Sequence, residues 1–174
     1  EVNITQRVTN EEPYDVRDID VSPDGLGVVF AMRGPLDDDM DEDEGPSWNI
    51  WEYNIATDTL RRVIPSDIIA EEGQDVSPHY LPDGRIVFSS TRQRQAKAIL
   101  LDEGKPQFEA QNEARDEPAF VLHVMNADGG GIKQISFNQS HDLDATVLSN
   151  GRVLWTRWDR GPGRDGMHLY SANP

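Results

Sequence analysis

Three stretches decide how this chain reads: Val21-Ser22-Pro23-Asp24-Gly25 followed by Val28-Val29-Phe30-Ala31-Met32-Arg33, Leu81-Pro82-Asp83-Gly84 followed by Arg85-Ile86-Val87-Phe88-Ser89-Ser90-Thr91-Arg92, and Leu148-Ser149-Asn150-Gly151 followed by Arg152-Val153-Leu154-Trp155-Thr156-Arg157. Each joins two short runs through a tight turn. Proline presets φ at the first turn position, Asp or Asn tolerates the second, and Gly accepts positive φ, which is hairpin chemistry. Three copies in register make an internal repeat, and a repeat has to be recognised before any other feature is weighed.

Working outward, each hairpin is followed by a second pair of runs. In the first unit these are Trp48-Asn49-Ile50-Trp51-Glu52-Tyr53-Asn54-Ile55 and Leu60-Arg61-Arg62-Val63-Ile64; in the second, Val121-Leu122-His123-Val124-Met125-Asn126 and Ile132-Lys133-Gln134-Ile135-Ser136. Their period-two alternation is that of half-buried strands. The predicted unit is a four-stranded antiparallel meander over 14–64, repeated over 75–136. A third copy over 142–174 ends after its third strand, Met167-His168-Leu169-Tyr170-Ser171. Ile4-Thr5-Gln6-Arg7-Val8-Thr9-Asn10 reads like Ile132-Lys133-Gln134-Ile135-Ser136-Phe137-Asn138, so 1–10 is predicted to be an orphan outer strand. The fold class is therefore all-β, about three β-propeller blades forming a partial propeller. The turn glycines Gly25, Gly84 and Gly151 stand 59 and 67 residues apart (84 − 25 and 151 − 84). That exceeds a typical blade of about 40–50 residues, and the surplus falls in two insertions, 34–47 and 93–119.

Composition narrows the function. The formal net charge is −16 over 174 residues, which repels nucleic-acid phosphates and anionic membrane surfaces. No run approaches the roughly 18 apolar residues of a membrane helix, and the start at Glu1 reads as a processed or trimmed terminus. With no Cys there is no disulfide, thiolate nucleophile or Cys-x-x-Cys-His haem attachment within these residues. Neither a Gly-x-Ser-x-Gly elbow nor a Gly-x-x-x-x-Gly-Lys loop occurs, and Gly129-Gly130-Gly131 lies in a predicted hairpin rather than at a strand-to-helix junction. The acidic run Asp37-Asp38-Asp39-Met40-Asp41-Glu42-Asp43-Glu44 fails as an EF-hand, since from Asp39 onward Glu44 stands where Gly belongs and Ile50 where Glu belongs. It reads as a solvated loop.

The repeats, from Ser22-Pro23-Asp24-Gly25 through a strand ending in Arg to Ile132-Lys133-Gln134-Ile135-Ser136, resemble those of TolB-type β-propellers over nearly the whole chain outside the insertions. The stretch from Asn138-Gln139-Ser140-His141-Asp142-Leu143-Asp144 to Trp155-Thr156-Arg157-Trp158 further resembles the propeller part of bacterial proteins related to the hydrazine synthase alpha subunit. The third turn departs from the pattern, with Ser149-Asn150 for Pro-Asp, and without a haem motif the family's redox chemistry does not transfer. The resemblance implies a periplasmic or secreted bacterial protein, a scaffold or binding module, or the propeller segment of a larger redox subunit whose catalysis lies elsewhere. It also implies about six blades in a ring, so that this chain is part of a longer polypeptide or closes head to tail with a second copy.

Candidate ligand-binding residues are those ahead of the innermost strands, at one channel mouth: Asp15, Asp75, His141, Asp142 and Asp144. Carboxylate and imidazole could hold a polar ligand or a divalent cation; the competing reading is that they cap the turns leading into the strands. No other cofactor is expected. Of the four His, His123 and His168 occupy matching third-strand positions, which points to structure. Trp48/Trp51 and Trp155/Trp158 are three apart, so on strands each pair splits between two faces. Trp51 and Trp158 are the candidate partner contacts.

Overall fold

The computed structural model describes residues 1–36, 39, 45–105, 109–161 and 163–174. Most of the acidic run lies outside them. Among the described residues, eleven strands form three antiparallel sheets. The first holds β1 (Asp15–Val21), β2 (Gly27–Arg33), β3 (Asn49–Asn54) and β4 (Thr59–Arg62); the second holds β5 (Asp75–Tyr80), β6 (Ile86–Ser90), β7 (Val121–Met125) and β8 (Lys133–Gln134). The third holds β9 (Asp142–Val147), β10 (Val153–Gly161) and β11 (Arg164–Ala172), each strand paired with its sequence neighbour. The repeated hairpin turns are built alike. The N–H of Gly25, Gly84 and Gly151 donates to the carbonyl three residues back, and all three glycines have φ between 73° and 87°. Asp24, Asp83 and Asn150 each accept a backbone N–H two residues on, so Asn150 serves the third turn as Asp serves the others.

Strand alternation sorts the side chains of the middle sheet into two cores. Ile86, Phe88 and Met125 pack with Val29, Ala31 and Ile50 of the first sheet. Val87, Leu122 and Val124 pack with Ala145, Val153 and Trp155 of the third. Both faces of β6 and β7 are therefore buried. Radial packing of this kind is what makes a meander a blade. The tight turn after β7 is wedged against the first sheet: a Cβ on Gly129, at φ +82°, would stand 2.1 Å from the Val63 carbonyl oxygen.

The predicted orphan strand at 1–10 is not formed. Gln6–Thr9 make a helical turn, α1, closed by Val8 and Thr9 N–H donating to the Thr5 carbonyl and ended by Asn10 in the left-handed region. A strand needs a neighbour's backbone, and the sheet it was expected to complete, ending in β11, lies at the other end of the chain. Its backbone groups bond locally instead, with Asn3 Oδ1 accepting from the N–H of Thr5 and Gln6. Arg7 pins the turn to Asp58 between β3 and β4. Two further helices follow. α2 (Asp67–Ala70), N-capped by Ser66, links the first two sheets, and α3 (Arg94–Asp102) opens the 93–119 insertion.

Candidate functional site

The residues that open the innermost strands share one device. Asp15, Asp75 and Asp142 each meet an arginine on or just beyond the second strand of their sheet. Arg33 bonds Asp15 Oδ2 at 2.9 Å, Arg92 grips both oxygens of Asp75, and Arg157 bonds Asp142 Oδ1 at 2.8 Å and Oδ2 at 3.1 Å. Planar guanidinium matches carboxylate in this forked geometry. Ser90 Oγ also donates to Asp75, and Trp155 Nε1 to Asp142. Asp75 and Asp142 have no exposed surface. Burial pushes the Asp75 carboxyl up to about 6 against the opposing pull of Arg92 and Ser90. These two carboxylates thus clasp the first two strands of their own sheets and present nothing to a ligand.

His141 is also built in. Its Nδ1 accepts the Phe120 N–H at 3.1 Å, its ring stacks between Phe120 and Trp158, and Nε2 lies 3.8 Å from Glu113. Burial lowers its pKa against the opposing pull of Glu113 and Asp142. Asp144 is exposed and has φ 52°. Among the described residues, no three His, Asp or Glu side chains are grouped to hold a metal ion. His123 and His168 differ in setting: His123 is buried, its ring tilted against Phe88, and held down to about 4 by desolvation, whereas His168 is largely exposed. Trp51 and Trp158 are both half-buried, with Trp158 Nε1 donating to Asp165. Their partners Trp48 and Trp155 lie under Arg33 and Arg157.

A feature invisible at the level of motifs recurs in each innermost strand. A β-bulge interrupts the pairing after Arg17, after Val76 and after Leu143, and each carries one left-handed residue, Asp18 (φ 57°), Ser77 (φ 50°) and Asp144. Bulges re-aim the side chains that follow them. Asp18 Oδ2 crosses to the next blade and accepts from the Ser77 N–H at 2.9 Å; Asp20 Oδ2 accepts the Tyr80 N–H at 2.9 Å. Beyond the bulges the ends of β1, β5 and β9 frame a cleft of about 370 Å³, at the opposite end of these strands from Asp15, Asp75 and Asp142. Asp20, His79 and Thr146 line it with Pro23, Pro82 and Leu148. Asp20 Oδ1 and His79 Nδ1 are 3.5 Å apart and both are part-exposed. A carboxylate beside an imidazole in a half-open cleft is able to exchange hydrogen bonds with a polar group, while the pair is one ligand short of the three that a catalytic zinc takes from protein. Asp20 and His79 escape a reading by motif because the bulge shifts their register.

No family model matches the chain, and no curated protein matches it. Solved structures do. Hydrazine synthase of Kuenenia stuttgartiensis aligns over 95% of this chain and 25% of its own, with TM-score 0.65 and 17% identity. A putative TolB from Agrobacterium tumefaciens aligns over 92% of this chain and 46% of its own, with TM-score 0.56 and 17% identity. The β-propeller domain of the Trilobed protease from Pyrococcus furiosus aligns at TM-score 0.35 and 12% identity. The chain thus spans a quarter of the first protein and under half of the second. With its three meander sheets packed face to face, it is an unclosed set of β-propeller blades of the kind found in TolB and hydrazine synthase.

Proposed function

We propose that this chain is a non-catalytic propeller module that binds a protein or small polar ligand where the innermost strands end, around Asp20 and His79, in a bacterial periplasm or at a cell surface. The observation that carries the reading is the half-open carboxylate–imidazole pair in a cleft shared by three blades, set in a sequence with no assembled catalytic motif. Ligand sites gather where several elements converge and leave a few polar groups unburied. The test is affinity capture from periplasmic extract with the wild-type chain and with Asp20→Asn and His79→Ala. Recovery of one protein or metabolite by the wild type, lost in both variants, is the expected result; equal recovery by all three sinks it.

A second reading is favoured by the likeness to hydrazine synthase, which takes in 95% of this chain: a propeller segment of a larger redox subunit, with catalysis outside these residues. Extended sequence at the same locus separates the two. Cys-x-x-Cys-His motifs encoded beyond this segment favour the redox subunit, and a locus without them favours the binding module.

A further inference from the structure

A larger cavity, about 510 Å³, opens away from that cleft, between α2, α3 and the Gly129-Gly130-Gly131 turn leading into β8. Its size suits a small organic ligand. Ile69, Ala98 and Ile132 supply apolar wall, and buried His123 lies beneath. Charge in the lining nearly cancels. Arg92 is committed to buried Asp75, and Arg94 pairs with Glu72 at 3.0 Å. Lys133 forms no ion pair among the described residues and leaves one uncompensated positive charge, on a chain whose net charge is −16.

The three glycines have separate causes. Gly129 is demanded by the Val63 carbonyl and its φ of +82°; Gly131 has φ +63° and would bring a Cβ to 2.9 Å from Asn126 Nδ2. Gly130 has neither constraint: a Cβ there would meet only Asp128, of its own turn, at 3.1 Å. What its missing side chain leaves bare is backbone lining the cavity. Among the described residues, the N–H groups of Gly131 and Ile132 make no hydrogen bond. Amides without partners beside a glycine in the left-handed region, with a lysine adjoining, are an anion-binding arrangement.

We propose that this cavity binds a small organic carboxylate, its anionic end held by Lys133 and the Gly131 and Ile132 amides and its apolar body against Ile69, Ala98 and Ile132. A single uncompensated cation matches a monoanion, and Glu72 in the wall opposes a phosphate dianion. The site shares no residue with the cleft at Asp20 and His79, so either can fail without the other.

The experiment is a titration of the ¹⁵N-labelled chain with 4-phenylbutyrate, with 4-phenylbutanamide and phenyl phosphate in parallel, followed by NMR. Saturable shifts are expected at the amides of residues 130–133, with Kd raised about tenfold or more by Lys133→Gln or by the uncharged amide, the loss of one charge-assisted contact. Gly130→Val, which sets a branched side chain beside the Gly131 and Ile132 amides, should weaken or abolish the shifts while leaving the rest of the spectrum in place. Shifts that stay linear to about 10 mM, a concentration about tenfold above a millimolar Kd, overturn the site. So does affinity unchanged by Lys133→Gln. Tighter binding of phenyl phosphate overturns the carboxylate assignment.

Discussion

Asp75 and His123 show how burial sets the behaviour of single residues. With Asp75 fully buried, the carboxylate depends on Arg92 for compensation. Arg92→Met leaves the buried carboxylate with only the Ser90 hydroxyl as side-chain partner, and losing one partner of a buried pair costs about 3–5 kcal/mol. Urea unfolding should show a fall of that size, and a fall below about 1 kcal/mol, the scale of an exposed pair, would contradict the role. His123 carries a pH signature. Its pKa falls from 6.5 to about 4 through desolvation, so the fold favours neutral imidazole. That contribution is present above pH 6.5, shrinks as the pH falls, and is gone below 4; in size it reaches about 3 kcal/mol. Asp75, raised to about 6, runs the other way, contributing fully below about 3.8 and losing its contribution as the pH rises through 6. Unfolding free energies at pH 7 and pH 4.5 for wild type and His123→Gln isolate the first: the variant should lose less on acidification.

At the scale of elements, the turns and the bulges decide how blades join. The β7–β8 turn has no room for a side chain at Gly129, so Gly129→Ala forces the backbone off Val63 and strains a left-handed position. The expected cost is about 2–4 kcal/mol, read as a lowered urea midpoint, whereas Gly130→Ala stays within about 1 kcal/mol because nothing outside its own turn stands in the way. Equal costs at the two glycines would show that the wedge against the first sheet is absent. Asp18 has two tasks, holding a left-handed bulge and accepting the Ser77 N–H of the next blade. Asp18→Ala should lower stability by about 1–2 kcal/mol. Asp18→Asn keeps the conformation and an acceptor oxygen and should recover most of it.

The whole molecule is an unclosed stack, and its two ends differ from its middle. In β6 and β7 every residue is buried, whereas β1 leaves Val16, Ile19 and Val21 exposed and β11 leaves Met167 and Leu169 exposed. Bare blade faces and unpaired strand edges are association sites. The 174-residue chain is expected to associate at micromolar concentration, with two copies head to tail supplying six blades. Light scattering should then report a mass near twice 19.5 kDa, and a persistent monomer would rule the arrangement out.

Much of this was legible in the chain alone, because the signals are local. Hairpin turns follow from Pro, Asp and Gly at fixed offsets, and strands follow from period-two alternation, so Ser22-Pro23-Asp24-Gly25 and its two relatives were enough for blades and their order. The arginines closing each second strand were visible too, though not what they close on. The repeated Asp–Arg clasp needed coordinates because it joins residues 15 to 18 positions apart across a sheet; the bulges at Asp18, Ser77 and Asp144 slip the register by one and so break the periodicity that sequence reading relies on, and Asp20 meets His79 only because two blades pack together. The N-terminal segment shows the same limit from the other side. Ile4 to Asn10 carries a strand-like pattern, yet a strand exists only where a neighbouring backbone offers hydrogen bonds, and here the segment folds back on itself as α1. Local chemistry specified the turns; partners in space decided which segments became strands, which carboxylates were sealed and which stayed open to a guest.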